Sequence, residues 1–387
     1  MRRSITTATL ALITVGLVAA GTMPAQAATS PIDTWGHHDI GRLTERASAL
    51  QAARVPGGLP PTAMSPVTVA EHLAGPLNFA VGKHGSLYVG QSNSGVLTLV
   101  APGKKPRDLV TAPDTDIEAV SLRGTSLTWS ETTFGPDGPA TAVVKQQAGT
   151  AAPKLLVDTM AYERAHNSDS VNTYGFRGLT PACLATVPPP LQPYTGVVDS
   201  HPYGAVEGRF GTYVADAGSN SILKIDPRGR VSTLAVLPGR AVAITAEAAA
   251  GLGLDPCVVG HEYVFEPVPT DIEIGPDGQL YVTGLPGGPE DGSTGANGSV
   301  YRVSPKTGAI KLIATGFAGA TNLAIAPNGT VYVAELFGDR VSAISRDGVV
   351  TPLVSLTQPA GLEWARGRLY VSTNVFGDGS IVSLKVH

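Results

Sequence analysis

One phrase recurs along the chain and restricts its fold more than any other feature. It consists of an apolar strand, a tight turn containing glycine, and a second strand that often reads Tyr-Val. It is written NFAVGKHGSLYVGQ from Asn78, DIEIGPDGQLYVTG from Asp271, NLAIAPNGTVYVAE from Asn322 and GLEWARGRLYVST from Gly361. Looser copies are IEAVSLRGTSLTWSE from Ile117 and YGAVEGRFGTYVAD from Tyr203. Alternating Val, Ile, Leu and Tyr around Asp-Gly, Asn-Gly and Gly turns reads as antiparallel hairpins. A second hairpin follows each first one: Ser221–Ile225 turns through Asp226-Pro227-Arg228-Gly229 into Val231–Leu234, and Val341–Ile344 turns through Arg346-Asp347-Gly348 into Val350–Val354. Four antiparallel strands per unit, with Tyr332 and Tyr370 of neighbouring units 38 residues apart, is the period of a β-propeller blade.

The units number six, and the last, from Pro359, has three strands before the chain stops at His387. Val67–Leu73, ahead of the first unit, looks like Ile310–Ala314, which stands in the same place before Asn322. The expectation is an all-β, six-bladed propeller over 62–387, closed by this N-terminal strand completing the last blade. Closure hides two strand edges that would otherwise recruit other chains.

The compartment is read from the first residues. Arg2 and Arg3, the uncharged apolar stretch Ile5–Ala20 and the small-residue site Ala25-Gln26-Ala27 form a cleavable export signal over 1–27. The route is Sec or, on the Arg-Arg pair alone, twin-arginine. Residues 28–61 read as a Pro/Gly-rich linker with one short amphipathic helix near Ile40–Leu50. The expected product is secreted and monomeric, with no membrane span. Loss of Arg2 and Arg3 without any acid moves the formal charge from −4 to −6. A mildly acidic chain with no basic cluster is a poor partner for nucleic acid. Cys183 and Cys257 are the two cysteines, and in an oxidising compartment the expectation is a disulfide between them.

Loop lengths choose a face. The long segments are 158–200, 238–268, 285–298 and 134–139, and all join strands on the side where first strands begin and second strands end. Loops grown on one face of a rigid scaffold are where binding resides. That register offers Asn78, Tyr203, Asp271 and Asn322 at strand starts, and Gln91, Glu131, Asp216 and Glu335 at strand ends, with His201 just upstream of Tyr203. These residues either satisfy loop backbone groups or face a polar ligand. No cofactor is expected, Ca²⁺ being the ion such carboxylates and amides would take.

Several phrases also match a known family. DSHPYGAV at Asp199–Val206, YVADAGSNSILKID at Tyr213–Asp226, PTDIEIGPDGQLYVTGLPGGPED at Pro269–Asp291 and GANGSVYRVSPKTG at Gly295–Gly308 resemble the ScyD/ScyE family of secreted propellers. The likeness runs from about Val67 to the C-terminus and is nearer the actinobacterial branch than the cyanobacterial proteins encoded with genes for scytonemin. It implies the fold and transfers no catalytic residue. With no G-x-S-x-G elbow and no Gly-rich phosphate loop, the expected role is a non-enzymatic binding or scaffold protein for a small molecule or an extracellular protein. The alternative is a metal-dependent hydrolase or lactonase similar to gluconolactonase propellers, whose glutamate at the start of the first blade is replaced here by Leu77-Asn78. A lyase similar to virginiamycin B lyase would draw on His201 with Glu262 or Glu335.

Overall fold

The computed structural model describes residues 65–135, 138–288 and 293–386, and the export segment and linker expected over 1–61 lie outside them. Among the described residues the strands form seven four-stranded antiparallel sheets. Five are runs of consecutive strands: sheet I (78–111), sheet II (115–158), sheet III (202–236), sheet IV (269–317) and sheet V (320–355). Sheet VI takes three strands from 362–384, and its outermost strand is Val67–Leu73, antiparallel to Gly379–Leu384. Short turns enforce the up-and-down order. Gly278 and Gly329 adopt φ +71° and +87°, where a side chain would be strained, and each donates its N–H back to close the turn.

Packing follows from strand periodicity: alternate side chains leave each sheet on opposite faces, so each sheet must bury both. The first strands touch in cyclic order from sheet I through sheet VI and back to sheet I. Neighbouring sheets share apolar clusters. Leu97, Ile117 and Trp129 join I to II; Val144, Ala205 and Val214 join II to III; Tyr213, Ile272 and Val282 join III to IV. Val300, Leu323 and Val333 join IV to V; Ala334, Leu362 and Val371 join V to VI. The circuit closes where Phe79, Leu87 and Val89 meet Tyr370, Ile381, Ala70 and Leu73. Two glycines let backbones approach: a Cβ on Gly204 would meet Asp271 Cα at 2.7 Å, and one on Gly361 would meet the Phe79 ring at 2.9 Å.

The two long insertions build the seventh sheet from Thr173–Phe176, Tyr194–Thr195, Arg240–Ala243 and Glu262–Phe265. Three helices accompany them: α1 (Thr159–His166), α2 (Pro181–Leu184) and α3 (Ala246–Gly251), N-capped by Asp158, Thr180 and Thr245. Phe176, Leu191, Ile244, Leu252, Val258 and Tyr263 give this unit a core of its own, with the Cys183–Cys257 disulfide at its edge, Cα atoms 5.9 Å apart. The expected bond is therefore present. Buried Asn220 ties the unit to sheet III. Its amide nitrogen donates to Asp169 and Glu266 at 2.8 and 3.0 Å, and its oxygen accepts from Val268 N at 3.0 Å. Among the described residues no helix is long and apolar enough to cross a membrane.

Inside the ring, carboxylates from sheets two apart influence one another. Burial raises Asp271 to about 7 and Glu363 to about 8, the latter helped by the charge of Asp271. Burial, then Glu363 and Asp271, raises Glu273 well above the usual range. Free carboxyls ionise near 4, so between there and about pH 8 the folded chain holds protons that the unfolded chain has lost. Stability from this source is complete below about pH 4 and declines as pH rises to about 8. The melting temperature of metal-free protein is expected to be several degrees lower at pH 8.5 than at pH 5.5, and Glu273→Gln with Glu363→Gln should flatten the slope. An equal or higher value at pH 8.5 would contradict it.

Ring closure yields a second expectation. Deleting 28–73 removes the outer strand of sheet VI and the buried side chains of Ala70 and Leu73, with a loss of about 3 kcal/mol or more. Deleting 28–60 leaves that strand in place and should be nearly neutral in urea unfolding. Equal stability of the two truncations would break the assignment.

Candidate functional site

The strand-end residues picked out in the sequence do two kinds of work in the fold. Asn78, Asp271 and Asn322 each reach across to the next sheet: their side-chain oxygens accept from Val120 N, Leu323 N and Leu362 N at 2.6, 3.0 and 2.9 Å. Gln91, Asp216 and Glu335 instead hold the segment entering their own sheet, accepting from Ala74 N, His201 N and Ala318 N at 2.8, 2.8 and 2.9 Å. Asp216, raised by burial, also accepts from Ser200 Oγ at 2.7 Å, and Glu335 takes a two-pronged bond from Arg340 plus the Ser342 hydroxyl. Glu131 pairs with Lys145 at 2.6 Å and accepts from the Trp129 indole. These residues are distributed over sheets I to V, one or two per sheet.

Leu77, Tyr203, Ala217, Val268, Leu336, Ala360 and Val375 stand just before first strands, at their starts, or just after second strands, and pack into one apolar cluster. It forms an apolar collar at the starts of the first strands, on the side that carries the insertions.

His201 and Tyr203 do meet, and with partners absent from the sequence reading. Asp116 and Glu118 lie two apart on Thr115–Arg123, the first strand of sheet II, while Ile117 between them enters the core. His201 Nε2 is 3.0 Å from Glu118 Oε2 and 3.7 Å from Asp116 Oδ2. Tyr203 and Phe134 pack edge-to-face with the imidazole, centroids 5.3 and 5.5 Å away. Ser92 Oγ donates to Glu118 Oε1 at 3.2 Å. Burial alone would lower the imidazole's pKa, but the Glu118 charge, with Asp116 and Asp199, carries it up to about 9. Asp116 and Phe134 also line a cavity of about 500 Å³ between sheets I and II, together with Ser92, Asn93, Ser94, Gly95, Pro113, Asp114 and Thr115.

The signal missed in the sequence was Asp-x-Glu at 116–118. The repeat phrase was read from Ile117, and a bulge between Glu118 and Ser121, with Ala119 at φ +50°, shifts the strand out of step with its sister copies.

No protein-family model and no curated protein matches the chain. Solved structures do. The soluble aldose sugar dehydrogenase of Escherichia coli, in its apo form, is 11% identical over 83% of this chain and 99% of its own, with a TM-score of 0.52. The PQQ-bound aldose sugar dehydrogenase of Streptomyces coelicolor is 15% identical over 85% of this chain and 100% of its own, at 0.50. A streptogramin B lyase matches at 13%, over 84% of this chain and 97% of its own, at 0.46. The fold is β-propeller-like. At such identities the likeness concerns the fold alone.

Because Asp216 and Glu335 are fully buried and multiply bonded, Asp216→Ala and Glu335→Ala should each destabilise by about 2–4 kcal/mol in urea unfolding. Losses below about 1 kcal/mol would place them instead among solvated caps.

Proposed function

We propose that the chain is a secreted, six-bladed β-propeller of the ScyD/ScyE type that binds a small, hydroxyl-rich ligand without transforming it. The observation that carries this is the cavity of about 500 Å³ beside Asp116 on the insertion-bearing side. Its hydroxyl, amide and carboxylate groups from Ser92, Asn93, Ser94, Thr115, Asp114 and Asp116 are mainly acceptors, which suit a ligand rich in donors. Phe134 supplies an apolar wall for a ring face. The circuit of six sheets and the disulfide support the blade count and an oxidising compartment.

The gluconolactonase-like alternative is less well supported. Its expected ligand positions carry Asn78, Asp271 and Asn322, whose oxygens hold neighbouring backbone, and Leu77 lies in the apolar collar.

The experiment is calorimetry on protein starting near Ala28, against a panel of monosaccharides, polyols and polyamines. A sugar or polyol should bind saturably, be recovered chemically unchanged after long incubation, and lose binding at least tenfold in Asn93→Trp, an exposed position that fills the cavity. Turnover of the bound compound, or binding indifferent to Asn93→Trp, would overturn the reading.

A further inference from the structure

Two carboxylates from one strand and an imidazole from the next sheet converge on a single point. One donor atom from each of Asp116, Glu118 and His201 lies within 4.8 Å of the others. Donors about 2.0–2.2 Å from a common metal ion stand roughly 3–3.6 Å apart. The distances of 3.0 and 3.7 Å from His201 Nε2 to the two carboxylates fit that spacing with little adjustment.

His201 supplies an independent observation. Its side chain is wholly buried and Nε2 is ion-paired with the Glu118 carboxylate at 3.0 Å, yet among the described residues neither ring nitrogen has a hydrogen-bond partner in good line. The Glu118 oxygen is close enough but out of line with the N–H direction. A buried polar group left so is costly and calls for an explanation. Nor is the ring loosely held: Asp216 fixes its backbone N–H at 2.8 Å, and Phe134 and Tyr203 bracket its edges. The orientation is imposed by the surroundings, as for a ligand whose lone pair serves something other than a protein donor.

We propose that Asp116, Glu118 and His201 bind one divalent first-row metal ion of the Mn²⁺ or Zn²⁺ type. An imidazole with two carboxylates suits these ions better than Ca²⁺, which takes six to eight oxygens. On binding, the imidazole contributes its neutral form, and two carboxylates balance the ion's charge. Asp116 also lines the cavity, so the remaining coordination positions open toward it. The inference does not depend on that cavity taking an organic ligand, because metal alone is measured.

The test uses chelator-stripped protein beginning near Ala28, titrated with Zn²⁺ and with Mn²⁺. One equivalent of either should bind at micromolar or tighter affinity, and Ca²⁺ at least tenfold more weakly. Bound Mn²⁺ should show one directly coordinated nitrogen by pulsed electron paramagnetic resonance, lost in His201→Gln. Since a buried histidine change can unfold the chain, Asp116→Asn is the second variant: this isosteric change at a half-buried side chain should leave the chain folded, with cooperative metal-free melting, and weaken binding at least thirtyfold. No binding at 1 mM, binding unchanged in Asp116→Asn, absence of nitrogen coupling in the wild type, or Ca²⁺ equal to Mn²⁺ would each overturn it. Normal metal binding in Asn93→Trp, with no organic ligand found, would sink the cavity reading and leave this one standing.

Discussion

The pairing of Val67–Leu73 with Gly379–Leu384 is the contact on which the rest of the structure depends. Every sheet buries both faces, so the core is a closed series of interfaces and none can be lost alone. If the outer strand of sheet VI left, Ala70 and Leu73 would withdraw from the cluster joining sheets VI and I, and Phe79 and Ile381 would face water. Two chain ends more than three hundred residues apart thus hold one seam, and long-range pairing of this kind is slow to form but binding once made.

Around that frame, polar side chains fasten what apolar packing leaves loose. Asn78, Asp271 and Asn322 carry bonds from sheet to sheet, while Gln91, Asp216 and Glu335 anchor the incoming backbone. An apolar collar lies at the starts of the first strands. Asp116, Glu118 and His201 form a separate cluster, where Asp216 acts on His201 through its backbone and has a positioning role.

The hairpins, their turns, the strand that completes sheet VI and the disulfide were legible in the sequence, because each is encoded in residues close together or in a strict period. Asp271-Ile272-Glu273 and Tyr281-Val282, for example, alternate as a half-buried hairpin must. The seventh sheet was not legible: its short strands pair Gly175 with Val264, 89 residues away, across insertions with no repeat. At the site, His201 and Tyr203 were legible as polar residues at a strand start. Asp116 and Glu118 were not, since the bulge at Ala119 breaks the register that identified their counterparts. The strand-end carboxylates and amides read alike whether they hold backbone or face a ligand, and only the geometry tells the two apart.

Native-state hydrogen exchange tests the closure most directly. The amides of 67–73 that pair with 379–384 should exchange with the same free energy as the most protected amides of sheets III and V, moving together in a single global opening. Exchange of 67–73 through a separate, low-energy opening, with the other sheets still protected, would contradict the account.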